Sequence, residues 1–190
     1  MDSQLVFVGG ARGLGKSKYA SMVTSMEPAV RYMNLEQLLQ YLAEHTFGKS
    51  IAALSSDELN EVGASCVRKA MTPGCITLID GSYGRYQGTA SLPGPFIPLA
   101  LEPAIKLFIL VDCTVDMAIW LRQRRSFPSE LVGPAQVESE LANEREKAAQ
   151  TAQRQNKRLI VLKRERNVDF ARVLCNVLRS EVLPSGGAGE

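Results

Sequence analysis

Short apolar runs alternate with amphipathic stretches along the whole chain. Uninterrupted apolar runs of about four to eight residues favour buried strands, whereas apolar residues spaced three and four apart favour helices. The runs predict strands at residues 5–8, 30–33, 75–80, 106–112 and 158–162. The amphipathic stretches predict helices at residues 16–26, from 34, at 55–71, 115–125 and 137–155, and from 167. Strands alternating with helices indicate a three-layer α/β fold, an open parallel sheet with helices on both faces.

Three connections fall where such a sheet binds its ligands. Open α/β sheets bind ligands outside the carboxyl ends of their strands, which here means residues 9–17, 80–98 and 112–114. Residues 81–98 hold several glycines and prolines and are predicted to form a long loop of the kind that is usually functional. A further glycine- and proline-containing segment, residues 126–134, predicts a mobile connection.

The first connection fits the phosphate-binding pattern G-x-x-x-x-G-K-[ST] at every fixed position. Glycines let the backbone N–H groups turn inward around phosphate oxygens, and the following helix adds the positive end of its dipole. The lysine reaches the β- and γ-phosphates, and the serine hydroxyl ligates Mg²⁺. A chance glycine-rich turn is disfavoured because a strand precedes the pattern and a helix follows it. The predicted nucleotide-binding residues are Gly10, Ala11, Arg12, Gly13, Leu14, Gly15, Lys16 and Ser17.

A carboxylate at the end of the third predicted strand offers a second magnesium ligand. We expect that strand beside the strand that precedes the phosphate-binding loop, so Asp80 would hold Mg²⁺ together with Ser17. The alternative role for Asp80 is to cap the turn before Gly81. Asp112, at the end of another strand, is the reserve candidate.

Basic residues are concentrated in the second half of the chain. Residues 120–166 contain 11 of the 22 lysines and arginines. Arg122 and Arg125 flank the predicted mobile connection, and Arg145 lies on the helix after it. Guanidinium groups on a closing lid stabilise the charge that develops during phosphoryl transfer. The alternative is a solvated helix face, which explains most runs of charge.

Composition excludes several classes of protein. The net charge of +2 argues against a dedicated nucleic-acid binder, and the longest apolar run is too short to span a membrane. The first residues resemble neither a signal peptide nor a transit peptide, so we expect a cytoplasmic location with no membrane partner. The four cysteines form no C-x-x-C pair, and the single histidine, His45, argues against a histidine-based zinc site or a Ser-His-Asp triad.

The order of these parts resembles the archaeal-type adenylate kinases, a family of P-loop nucleoside monophosphate kinases. The resemblance covers residues 5–178. It includes Asp80-Gly81, a later Leu92-Pro93-Gly94, a helix ending in arginines, a short lid, and a helix carrying Asn143 and Arg145. It implies the strand order 2-3-1-4-5, ATP as phosphate donor, and a nucleoside monophosphate such as AMP as acceptor. It also implies Arg85 as a residue that grips the acceptor phosphate.

The same resemblance suggests how the chain is organised. Residues 1–183 would form one kinase domain, with an acceptor-binding region at 34–71 and a short lid at 122–136, and residues 184–190 a flexible tail. A homo-oligomer or a place in a larger complex is compatible with it. Residues 126–133 contain no basic side chain, where the family's lid has a second arginine group. This leaves two alternatives open, a nucleotide-binding subunit with weak or no turnover and an ATPase of the same fold.

Overall fold

Parallel strands form the centre of the protein. The computed structural model describes residues 3–87, 90–95, 97–124 and 133–183. The strands in these ranges are β1 (Gln4–Gly9), β2 (Val30–Asn34), β3 (Ile76–Asp80), β4 (Gly84–Gln87), β5 (Ala90–Pro95), β6 (Ile105–Asp112) and β7 (Leu159–Lys163). Five of them make a parallel sheet in the order β2-β3-β1-β6-β7. Counting only the strands of this sheet, the order is 2-3-1-4-5, which confirms the prediction.

Helices cover both faces of this sheet. They are α1 (Lys16–Met26), α2 (Leu35–Phe47), α3 (Ser56–Ala70), α4 (Val115–Gln123), α5 (Pro134–Arg154) and α6 (Phe170–Glu181), with short 3-10 turns at Ile51–Ala53 and Glu102–Ala104. No helix in the described ranges is long and apolar enough to cross a membrane.

The central strand β1 shows how the two cores are divided. Val6 and Val8 pack in the core that contains residues of α1, α4 and α6, whereas Leu5 and Phe7 pack with α2 and α3. All four side chains are buried, and each buried side chain of this kind contributes about 1.5–3 kcal/mol of transfer free energy. The strand is therefore apolar on both faces, as a strand inside a parallel sheet must be.

The predicted helix starts on α2 and α3 agree with the structure. The Asn34 side chain accepts a hydrogen bond from the Gln37 backbone, and Ser55 and Glu58 form a reciprocal capping box. Two other starts differ. Helix α5 begins at Pro134 rather than 137, because proline suits the first turn of a helix. Helix α6 begins at Phe170 rather than 167, and its cap is Asp169.

The prediction of a continuous loop at residues 81–98 is wrong. This segment contains an antiparallel hairpin in which Arg85 of β4 faces Leu92 of β5 and Gln87 faces Ala90. The glycines and prolines favoured a loop, but a two-stranded ribbon tolerates proline because each strand uses only one of its hydrogen-bonding edges. The hairpin leaves the sheet directly after the Asp80 strand end. It therefore stands at the predicted ligand edge.

Candidate functional site

The phosphate-binding loop connects β1 to α1 and depends on glycine at its start. The backbone of Gly10 has φ of +144°, and a Cβ built there would lie 2.3 Å from the Val111 carbonyl oxygen of β6. Gly15, at the N-cap of α1, has φ of +84°. These left-handed angles are strained for other residues, and the first position also has no space for a side chain. The loop thus lies against the end of β6 and leads into the positive end of α1.

Lys16 lies over the loop that precedes it. Its Nζ donates hydrogen bonds to the carbonyl oxygens of Gly10 at 2.6 Å and Ala11 at 2.9 Å. The ammonium group is thereby held beside the backbone that the sequence pattern assigns to the phosphates. Its position fits the predicted role of the P-loop lysine.

The Asp80 carboxylate, at the end of β3, joins β2 and the start of α1 at the edge of the sheet. Its Oδ2 accepts from the Ser17 hydroxyl at 2.5 Å, and its Oδ1 accepts from the Asn34 amide at 2.9 Å and the Tyr32 hydroxyl at 3.1 Å. Asp80 is 2% exposed, and these three partners are all uncharged. Burial raises the pKa of Tyr32, and the charge of Asp80 raises it further, against the lowering effect of the Ser17 hydrogen bond.

This donor set fits Mg²⁺. A buried carboxylate with neutral partners and a neighbouring hydroxyl are hard oxygen ligands, which magnesium prefers. The described residues contain no group of three or more His, Cys, Asp or Glu side chains placed to hold a metal. Ser17 and Asp80 would therefore hold the ion together with phosphate oxygens of a bound nucleotide, as P-loop proteins do. Turn capping alone does not describe Asp80, because its oxygens bind side chains of α1 and β2.

Arg122 supports the phosphate-binding loop by hydrogen bonds to its backbone. It is 4% exposed, and its Nε and Nη2 donate to the Arg12 carbonyl oxygen at 3.2 and 2.9 Å. Nη2 also pairs with Glu140 of α5 at 2.5 Å. Its stem passes so close to Gly13 that a Cβ there would lie 2.7 Å from it. The structure therefore gives Arg122 a supporting contact, and its role in the transition state remains a prediction.

Arg145 is held by the end of β6. Its Nε donates to Asp112 at 3.0 Å, and its Nη2 donates to the Cys113 carbonyl oxygen at 3.2 Å. Lys163 of β7 pairs with the second oxygen of Asp112. Burial raises the pKa of Asp112, but hydrogen bonds from Arg145 and Lys163 outweigh it and hold this pKa below its usual value. Two cations already share this carboxylate, which makes Asp112 a poorer magnesium ligand than Asp80.

The described part of the structure gives no site contact for two of the predicted arginines. Arg125 lies outside the described residues, as do residues 126–132 of the predicted lid. Arg85 lies in β4, where only its backbone is described. Both remain predictions.

Sequence reasoning missed the residues that surround these groups. Asn34 and Tyr32 reach Asp80 because β2 and β3 pair in parallel register, with Asn34 opposite Asp80. The sequence signal for this contact is a polar residue, Asn34, at the end of the strand beside β3. Glu140 and Lys163 lie 18 and 51 residues along the chain from their partners Arg122 and Asp112, so no local pattern indicates these pairs.

A cavity of about 570 Å³ lies along α2, within the predicted acceptor-binding region. It is lined by Asn34, Glu36, Gln37, Gln40, Tyr41, Glu44 and Ile51. These side chains supply two carboxylates, three amides and a phenol, and no basic group. Through Asn34 the cavity adjoins the Asp80 carboxylate.

Solved structures of similar fold include two kinases. Shikimate kinase from Bacteroides thetaiotaomicron matches with a TM-score of 0.54 and 10% identity, over 93% of this chain and 97% of that chain. A gluconokinase from Sinorhizobium meliloti 1021 matches with a TM-score of 0.50 and 10% identity, over 94% of this chain and 97% of that chain. At this identity the likeness shows the fold alone. No family model and no curated protein matches the sequence.

Proposed function

We propose that this protein transfers the γ-phosphoryl group of ATP, in the presence of Mg²⁺, to a small acceptor, with AMP as the first candidate. One observation carries the proposal: the Ser17 hydroxyl of a complete phosphate-binding loop bonds to a buried strand-end carboxylate, Asp80. This contact supports a nucleotide site and a magnesium site that adjoin each other. The fold shared with two kinases supports the same reaction type.

The residues of the site would act mainly by positioning and by neutralising charge. Backbone N–H groups of residues 10–15 would hold the β-phosphate, and Lys16 would bridge toward the γ-phosphate. When bound, Mg²⁺ supplies charge neutralisation across the β- and γ-phosphate oxygens. Phosphoryl transfer needs little further covalent chemistry from the protein when the acceptor is a phosphate.

Arginines near the predicted lid would complete the site. Arg145 presents a guanidinium at the end of β6, and Arg125 would approach from the lid in the same way. The archaeal-type adenylate kinases, which the sequence resembles, suggest this arrangement and AMP as acceptor. An AMP phosphate would then need Arg85 or lid arginines, because the described residues that line the cavity along α2 include no basic side chain.

A second acceptor class, a small molecule with several hydroxyl groups, is favoured by the same cavity. Its carboxylates, Glu36 and Glu44, would repel a phosphate dianion, whereas carboxylates and amides accept and donate hydrogen bonds to hydroxyl groups. Both structural neighbours are kinases named for shikimate and gluconate rather than for a nucleotide. The acceptor test therefore includes polyols and sugar acids.

The test measures ADP formation from Mg·ATP with AMP, with a panel of hydroxyl-rich acceptors, and with no acceptor. Lys16→Ala should lower turnover by about 10²–10³-fold, the usual loss for one charge-stabilising donor. The matched control is Lys18→Ala, which removes an exposed lysine from the same helix and should leave turnover unchanged.

Three results would lead elsewhere. Lys16-dependent turnover without any acceptor would indicate an ATPase. ATP binding with no turnover would favour a nucleotide-binding subunit, as the lid sequence already allows. Equal turnover in Lys16→Ala and the control would refute the assigned site.

A further inference from the structure

Glu144, in the middle of α5, is a buried carboxylate with a defined target. It is 1% exposed, and its two oxygens accept hydrogen bonds from two consecutive backbone groups, Tyr83 N at 2.8 Å and Gly84 N at 3.1 Å. Burying a carboxylate is costly unless it is hydrogen-bonded, and bonds to charged acceptors are about twice as strong as neutral ones. Glu144 therefore fixes the backbone just before β4.

That backbone segment follows the magnesium ligand candidate by only a few residues. Gly81 N donates to the Val8 carbonyl oxygen of β1 at 3.2 Å. Tyr83 is fully buried, and its hydroxyl donates to the Ile109 carbonyl oxygen of β6 at 3.1 Å. With Glu144 holding the next backbone groups, the chain from Asp80 to Gly84 is anchored to β1, to β6 and to α5.

The position of α5 gives this anchor a further consequence. This helix begins at Pro134, within the predicted lid at residues 122–136. Glu144 contacts the segment that follows β3, and its neighbour Arg145 contacts Asp112 and Cys113 at the end of β6. Strands β3 and β6 flank β1, whose end carries the phosphate-binding loop. Two consecutive residues of α5 thus hold both sides of the nucleotide edge.

We propose that Glu144 is a positioning residue that fixes the Asp80 carboxylate for Mg²⁺ by holding the backbone of residues 83–84 against α5. The proposal rests on the proposed function in one respect, since it takes Mg·ATP as the ligand of the site. It assigns Glu144 no contact with the nucleotide. Its effect passes through the main chain between Asp80 and Gly84.

The main test is Glu144→Gln, because an amide keeps the size of the side chain but has one acceptor oxygen for two N–H donors. Glu146→Gln is the matched control, since Glu146 is an exposed residue of the same helix. Hydrogen exchange should accelerate at the Tyr83 and Gly84 amides in the first variant alone. Isothermal titration should show ATP affinity without Mg²⁺ within about threefold of wild type, and the gain in affinity on adding Mg²⁺ reduced about tenfold.

A double-mutant comparison separates positioning from general destabilisation. Asp80→Asn should reduce the magnesium gain to the part that Ser17 and the phosphate oxygens supply, and Glu144→Gln should cause no further loss of that remaining gain in the Asp80→Asn background. An additive loss, or a magnesium gain unchanged in Glu144→Gln, would overturn the proposal. If Glu144→Gln does not fold, Glu144→Asp carries the same test, because its shorter side chain keeps the charge but cannot reach both N–H groups.

The outcomes also distinguish this proposal from the proposed function. Wild-type protein that binds Mg·ATP without turnover would refute the kinase activity and leave the Glu144 test intact. Wild-type protein whose ATP binding ignores Mg²⁺ would refute both. Turnover together with an unaltered magnesium gain in Glu144→Gln would refute the positioning role alone.

Discussion

Gly10→Ala tests whether the phosphate-binding loop has the close packing that the structure gives it. Alanine at this position would have to adopt φ of +144° and would bring its Cβ to 2.3 Å from the Val111 carbonyl oxygen. Neither the backbone of β6 nor the loop can move without disturbing the sheet or the nucleotide site. We therefore expect losses of both stability and ATP binding.

The magnitude follows from two separate terms. A non-glycine residue at such an angle costs about 1–3 kcal/mol, and overpacking against fixed backbone costs about 1–3 kcal/mol more. A central value of about 4 kcal/mol corresponds to a fall in Tm of about 8–16 °C for a domain of this size. Gly74→Ala isolates the first term, because Gly74 has φ of +76° with nothing within 4 Å of the added Cβ. We expect this control to lose about 1 kcal/mol and to bind ATP normally.

Urea unfolding and ATP titration on the two variants decide the matter. Gly10→Ala should lose clearly more free energy of unfolding than Gly74→Ala, and it alone should lose ATP affinity. Equal losses of stability in the two variants, with ATP affinity retained in Gly10→Ala, would show that the loop does not pack against β6 as described.

Three further predictions concern charge and thiols. Burial raises the pKa of Asp112, but its two cationic partners outweigh burial and hold this pKa low. The stability that the Asp112 carboxylate contributes is therefore present above about pH 4 and is lost as the pH falls through the lowered pKa. Asp112→Asn should reduce the free energy of urea unfolding at pH 7 and approach wild type in acid, and an equal deficit at every pH would contradict this. Arg122→Gln should lower the free energy of unfolding by about 1.5–3 kcal/mol because it removes the guanidinium that pairs with Glu140. Adding Glu140→Gln should recover part of that loss, and no recovery in thermal melts would argue against the pair. Burial raises the pKa of Cys66 to about 12, so mass-spectrometric mapping of iodoacetamide labelling at pH 8 should find the partly exposed Cys75 modified first, and prior labelling of Cys66 would refute its burial.

The sheet and the core of the site could be predicted because their determinants are local. A strand, a glycine-rich turn and a helix start follow one another within residues 5–17, and each has its own sequence pattern. Asp80 follows an apolar run in the same way. The parallel arrangement then brings the ends of these strands to one edge of the sheet, where Ser17 meets Asp80.

The partners of these residues could not be predicted, because they depend on register and on distant packing. Tyr32 reaches Asp80 across two strands that are separated by a pair of helices in sequence. Arg122 has the composition of a lid residue, but its side chain turns inward to Glu140 and to the loop backbone. Glu144 lies in a strongly charged helix, where nothing in its neighbours distinguishes a buried carboxylate from a solvated one.

The β4–β5 hairpin shows why glycine and proline content alone does not predict a loop. Glycine and proline composition reports the conformational freedom of single residues, whereas a ribbon is stabilised by backbone pairing between two segments, such as residue 85 with residue 92. Pro93 and Pro95 lowered the expectation of a strand, although a ribbon with free outer edges accommodates them.

The central place of β1 has a consequence for biosynthesis. Strand β1 pairs with β3 and β6, its side chains from Leu5 to Val8 are buried, and its last sheet partner ends at Asp112. At about 5–20 residues per second, a ribosome needs roughly 5–20 s to extend the chain from β1 to that point. Until β3 has been made, β1 lacks both neighbouring strands, and until β6 has been made it lacks one, so its apolar side chains are a natural ligand for holding chaperones. Release from them would coincide with emergence of β6, the strand that completes the sheet around the phosphate-binding loop.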